Sequence, residues 1–140
     1  MALDRGMLAT MDEYADAYCA KDIGRLMALF DEGEDISVIG TGQDELCSGR
    51  EQIQDLFLRN FSEATASRFE WHWRQTTLRG DTGLVSASLT IHLRVDGKPL
   101  QVPLRWTVVA RRDGDRWLWV HRHASSAAAS QEEGGAYPVE

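Results

Sequence analysis

Basic residues are scarce in this chain: 15 Lys and Arg stand against 22 Asp and Glu, a formal net charge of −7 at pH 7. That balance argues against a nucleic-acid partner, because phosphate binding needs a basic stripe. Cysteine is scarcer still. Cys19 and Cys47 are the only two, with no Cys-x-x-Cys and no histidine at ligand spacing beside them, so they read as plain thiols of a reducing compartment. No apolar run approaches the roughly 20 residues that a membrane-spanning helix requires, so no membrane partner is expected. The opening Met1-Ala2-Leu3-Asp4-Arg5 lacks the basic-then-apolar order of a secretory signal. The expected setting is therefore cytoplasmic. No internal repeat or linker divides the chain, and 140 residues suit one domain with a real core.

Apolar periodicity divides the chain into a helical first half and an extended second half. Leu3, Met7, Met11, Tyr14 and Tyr18 recur at spacings of three and four, which predicts a helix over residues 3–20 with one apolar stripe. Asp22 then stands as N-cap of a short second helix that buries Ile23, Leu26, Met27 and Phe30. A short strand follows over residues 35–40. The loop Gly40-Thr41-Gly42-Gln43-Asp44-Glu45 is not a phosphate loop, since no Lys-Ser/Thr follows it. Ser48-Gly49-Arg50-Glu51 matches a capping box, with Ser48 as N-cap of a third helix that turns Ile53, Leu56, Phe57 and Phe61 inward.

From Arg68 the period changes to two. Phe69, Trp71 and Trp73 alternate with Glu70, His72 and Arg74, and Val85, Ala87, Leu89, Ile91, Leu93 and Val95 alternate with polar residues. The stretch from Leu100 to Ser126 reads as two long strands joined at Asp113-Gly114, and Asp96-Gly97 makes a second hairpin signal. In the last strand Trp117, Trp119, His121 and His123 are expected on one face and Leu118, Val120 and Arg122 on the other. The predicted fold is α+β: three N-terminal helices on a curved antiparallel sheet built from one short strand and a four-strand meander, a cone with a cavity at its open end. The domain is expected to span residues 1–126, with residues 127–140, rich in Ala, Ser, Gly and Glu, as a flexible tail.

Three stretches carry a family resemblance: YADAYCAKDIGRLMALF from Tyr14 to Phe30; the strand, polar loop and Ser48-Gly49-Arg50 from Ile36 to Ile53; and Arg105-Trp106-Thr107 through Asp113-Gly114 and Trp117 to His121-Arg122-His123-Ala124-Ser125. In these the chain resembles the nuclear transport factor 2-like superfamily, in its SnoaL-like branch. That superfamily also holds ketosteroid isomerase and the association domain of calmodulin-dependent kinase II. The resemblance covers residues 3–126 and implies the cone-shaped fold. It leaves function open, because one fold hosts enzymes, binding proteins and assembly modules.

The resemblance also implies candidate site residues. Tyr14 matches the tyrosine with which ketosteroid isomerases stabilise an oxyanion. Their catalytic base has no counterpart, since Val38-Ile39-Gly40-Thr41 holds no carboxylate, and Arg105 stands where their second oxyanion group would be. A guanidinium stays charged and cannot shuttle protons near neutral pH, but a phenol and a guanidinium together suit an anion or a carbonyl oxygen. The resemblance turns Arg105 inward, and with it Thr90, His92, Thr107 and Arg122. Trp71 and Trp73 are expected as flat cavity walls. It turns the Trp106 face outward, against a second copy, giving a homodimer through the sheet face. The hydrophobic pattern alone favours the reverse orientation; the motif-based one is the expectation taken here. His121 and His123 share a strand face at a spacing that could hold a metal, but no third ligand stands near, so neither a metal nor a cofactor is expected.

The leading expectation is a cavity that binds a small organic molecule, anionic or carbonyl-bearing. The alternatives are an isomerase, cyclase or dehydratase using another acid or base, such as His92, Asp35, Asp44 or Glu70, and a homo-oligomeric assembly module without ligand.

Overall fold

A computed structural model describes residues 2–139. Its helices are α1 (Ala2–Cys19), α2 (Ile23–Met27) and α3 (Arg50–Glu63). Its strands are β1 (Ser37–Ile39), β2 (Leu46–Ser48), β3 (Thr65–Arg79), β4 (Thr82–Val95), β5 (Lys98–Asp113) and β6 (Arg116–Ser125). The fold is α+β, with the helices gathered in the N-terminal half against one open curved sheet. The sheet has six strands in the order β2-β1-β6-β5-β4-β3. It is mixed: β1 runs parallel to β6, pairing Val38 with Arg122, while every other neighbouring pair is antiparallel. Sequence reading missed β2, whose three residues are too few to show a period.

Local chemistry explains most boundaries. The Asp22 carboxylate accepts the Arg25 N–H at 3.1 Å and caps α2 as expected. The expected capping box on α3 does not form. Gly49, at φ 85°, is the N-cap and offers no side chain, and the Ser48 N–H is instead taken by the Gln52 side chain at 2.8 Å. Arg50, in the first turn, donates to the carbonyls of Met27, Phe30 and Asp31 at 3.2, 3.3 and 2.7 Å. One guanidinium thus satisfies the carbonyls that the end of α2 would leave open. The β4–β5 hairpin turns at Asp96 and Gly97, with φ of 51° and 77°, the two positive values a type I′ turn needs.

The α1 stripe is observed: Met7, Met11, Tyr14 and Ala17 are buried against the sheet. The Leu3 side chain lies outside the described residues. The concave sheet face carries Val85, Ala87, Leu89, Trp106, Val108, Trp117 and Trp119, all buried. The motif-based orientation is thereby corrected. The Trp106 face is the inside, and Arg105 is the outside. Burying three tryptophans and a row of aliphatics under the helices outweighs whatever an inward Arg105 would gain.

Bulges on β6 and β3 break the alternation and redistribute side chains. On β6, Val109 pairs with His121 and Ala110 with Trp119, so Val120 has no partner of its own. The extra residue moves everything beyond it to the opposite face. Trp117 and Trp119 point inward, and then Arg122 and Ala124 do, while His121 and His123 turn outward. On β3, Trp71 pairs with Leu89 and Trp73 with Ser88, leaving His72 extra. Phe69 and Trp71 therefore join the inner face, and Trp73 is turned out and 53% exposed.

After β6, residues 126–139 make turns and bends, including Val139 N–H to the Ser130 carbonyl at 2.9 Å. No helix among the described residues is long and apolar enough to cross a membrane.

Replacing Arg50 with Met will lower the unfolding free energy by about 2 kcal/mol, through loss of charge-assisted bonds to three carbonyls. The readout is a lower urea midpoint at unchanged slope; an unshifted midpoint would show that Arg50 does not hold α2 to α3.

Candidate functional site

The free end of the β4–β5 hairpin runs past the helices, and beneath it the concave face is uncovered. A hollow of about 320 Å³ opens there, at the low end of the size of small-molecule sites. Its apolar wall is Ile91, Leu93, Val102 and Leu104, from the two hairpin strands. Tyr14 and Tyr18 of α1, Trp106 of β5, Gly40, Thr41 and Glu45 of the β1–β2 loop, and Asn60 and Glu63 at the end of α3 complete its lining.

Arg122 is its charged wall residue on the sheet side. It is 7% exposed, the only charged residue among the buried ones described. Nη1 donates to Tyr14 Oη at 3.1 Å, and the guanidinium carbon lies 5.3 Å from the Trp106 ring centroid. It has no ion pair among the described residues, and Nε has no hydrogen-bond partner. The Trp106 indole N–H is likewise buried without a partner. A buried guanidinium with spare donors is costly unless something accepts from it.

Tyr14 is fixed by aromatic packing. It stacks on Trp119 at 5.1 Å and on Tyr18 at 5.8 Å, and meets Trp106 edge-on at 4.9 Å. Burial pushes its phenol pKa up, against the opposing pull of the Arg122 charge. Tyr14 therefore stays protonated at neutral pH: its oxygen accepts from Arg122 and its own proton remains available to an acceptor. Burial, and the neighbouring Tyr14, likewise push the Tyr18 phenol up.

The structure brings Tyr14 and Arg122 together and scatters the other expected residues. Thr90, His92, Arg105 and Thr107 lie on the convex face. There His72 Nε2 is 2.8 Å from Thr90 Oγ1, His92 Nε2 is 2.9 Å from Glu70 Oε1, and Arg105 donates to the Ser126 carbonyl at 3.3 Å. Thr107 pairs across the sheet with outward-facing His123. Trp73 is also on this face. Trp71 is on the inner face and packs on Trp106 at 5.8 Å and under Arg74 at 5.0 Å, but it does not line the hollow. The expectation of a cavity containing these residues is corrected by the strand alternation that buries Trp106, and by the bulge at His72.

The candidate acids and bases fare similarly. Asp44 is paired with Arg59 at 2.9 Å, Glu70 with His92, and neither they nor Asp35 border the hollow. Among the described residues no group of three His, Cys, Asp or Glu could hold a metal ion. Sequence reading did not anticipate Tyr18, Glu45, Asn60 and Glu63 at the site. The one local signal was the pair of glycines at 40 and 42 ahead of Glu45.

Comparison with known proteins agrees with this fold. A family profile for the SnoaL-like domain matches residues 7–129. No curated protein matches the chain. Among solved structures, a provisionally assigned calcium/calmodulin dependent protein kinase II association domain from Xanthomonas campestris superposes with a TM-score of 0.78 at 22% identity, covering 89% of this chain and 88% of that one. A provisionally assigned dehydratase of the NTF2-like family from Streptomyces avermitilis gives 0.77 at 19% identity, covering 89% and 97%. The CaMKII hub of S. rosetta gives 0.72 at 20% identity, covering 88% and 95%. At such identities the likeness is one of fold. With the profile matched over most of its length, the chain belongs to the SnoaL-like domain family.

Proposed function

We propose that this protein binds a small organic molecule in the hollow and holds its carboxylate or carbonyl oxygen with Arg122 and Tyr14. The observation that carries this reading is the buried guanidinium of Arg122, whose single hydrogen bond goes to a phenol and which has no carboxylate partner among the described residues. An incoming carboxylate would accept from the remaining donors and turn an uncompensated buried charge into a paired one. The phenol proton of Tyr14 adds a second donor. The apolar wall of Ile91, Leu93, Val102 and Leu104 suits a hydrocarbon body attached to that oxygen end.

A ligand-observed NMR screen of carboxylate and ketone fragments tests the reading. Arg122→Met is expected to weaken every genuine hit at least tenfold, the order seen when one partner of a desolvated charge pair is removed. Arg105→Ala, on the convex face, is expected to leave the same affinities unchanged. Hits indifferent to Arg122→Met would overturn the assignment. The same variant is expected to unfold at a urea midpoint no lower than that of the wild type, since removing an uncompensated buried charge costs no stability.

The convex face supports a second, compatible reading, in which two copies meet through the sheet. Its supporting observation is Trp73, a large aromatic 53% exposed on that face. Light scattering after size exclusion is expected to give twice the chain mass for the wild type and a shift toward the single-chain mass for Trp73→Arg. A single-chain mass for the wild type at micromolar concentration would remove this reading.

A further inference from the structure

We propose that His121 and His123 form a binding site for one divalent transition-metal ion, of the Ni²⁺, Cu²⁺ and Zn²⁺ group, on the convex face of the sheet. Arg122 between them points inward, so the pair stands on the other side of β6 from the hollow and does not line it. The site is therefore independent of what the hollow binds.

Strand geometry brings the two imidazoles together. Residues two apart on a strand share a face and stand about 6.7 Å apart along it. The bulge at Val120 turns both rings outward, and their centroids are 6.3 Å apart. Nitrogens about 2.0 Å from a tetrahedral ion put two imidazole centres roughly 5 Å apart. A small side-chain rotation closes the difference. His123 is exposed and makes no side-chain hydrogen bond among the described residues, so it is free to make that rotation.

His121 is the anchored member. Register sets Ser37 of β1 beside it, and Ser37 Oγ is 2.9 Å from its Nδ1. With the proton on Nδ1, the Ser37 hydroxyl accepts it and Nε2 offers the lone pair that a metal takes. A hydrogen bond of this kind behind a ligand imidazole fixes its tautomer and its orientation. The other two of the four histidines are engaged through the same nitrogen: His72 Nε2 is 2.8 Å from Thr90 Oγ1, and His92 Nε2 is 2.9 Å from Glu70 Oε1. Across the ladder His121 faces Ser37 and Val109, and His123 faces Ile39 and Thr107, none of them basic. Imidazole nitrogen suits Ni²⁺, Cu²⁺ and Zn²⁺, whereas Mg²⁺ prefers oxygen. The chain supplies two ligands and water fills the remaining positions, which makes the site an exchangeable one.

The test is isothermal titration calorimetry of the full chain, without a tag, against Ni²⁺, Zn²⁺ and Mg²⁺ chlorides in a non-coordinating buffer at neutral pH. One Ni²⁺ or Zn²⁺ is expected per chain, and no binding heat from Mg²⁺. His121→Gln and His123→Gln are each expected to weaken Zn²⁺ binding more than tenfold. Ser37→Ala is expected to weaken it about tenfold, the low end of the loss when the group behind a ligand imidazole is removed. The His72→Gln/His92→Gln double variant is expected to bind as the wild type does. In NMR of the wild type, Zn²⁺ is expected to shift the ring signals of His121 and His123 and leave those of His72 and His92 in place, a readout that stands should a variant fail to fold. Absence of Ni²⁺ and Zn²⁺ binding, binding that survives both His121→Gln and His123→Gln, unmoved His121 and His123 signals, or one ion per two chains overturns the inference.

Discussion

One unpaired residue in the last strand puts a positive charge inside this protein. Val120 has no partner across β5, and that single extra step sends Arg122 inward on the heels of Trp117 and Trp119. Without it, the strand would continue its alternation, Arg122 would face solvent, and His121 and His123 would point toward the helices. The guanidinium that results is offset only in part, by the Tyr14 oxygen and by the face of Trp106. A core that had no use for that charge would be better filled by an aliphatic side chain. The bulge and the burial together set a guanidinium in the wall of the hollow.

The rest of the architecture serves to keep that corner rigid and accessible at once. Tyr14 is gripped by Trp119, Tyr18 and Trp106, so the phenol that meets Arg122 has little freedom to move. Arg50 ties the end of α2 to the start of α3 through three carbonyls, and α3 in turn delivers Asn60 and Glu63 to the border of the hollow. The long β4–β5 hairpin extends beyond the helices, so its apolar residues Leu93 and Val102 are only half-buried. The convex face follows a different logic, with Glu70, His72, Thr90 and His92 satisfying one another across β3 and β4.

Much of the fold was legible from periodicity. The helical stripe of Met7, Met11 and Tyr14, the cap at Asp22 and the Asp-Gly hairpins all depend on neighbours within a few residues, and all are present. The site was legible only in part. Tyr14 and Arg122 were among the expected residues. Arg105 was assigned to the cavity by motif, against a hydrophobic alternation that pointed the other way. The alternation was the better guide, because the free energy of burying Leu104, Trp106 and Val108 is larger than any preference a single arginine expresses.

The amino-acid sequence by itself determined the order of elements, the amphipathic faces and the α+β class, since each is a property of local spacing. Only the tertiary structure decided which face became the inside beyond Val120 and which of the many polar residues share one hollow. A bulge adds a residue to one strand with respect to its partner, so it exists in the pairing of two distant segments and leaves no mark in either one alone.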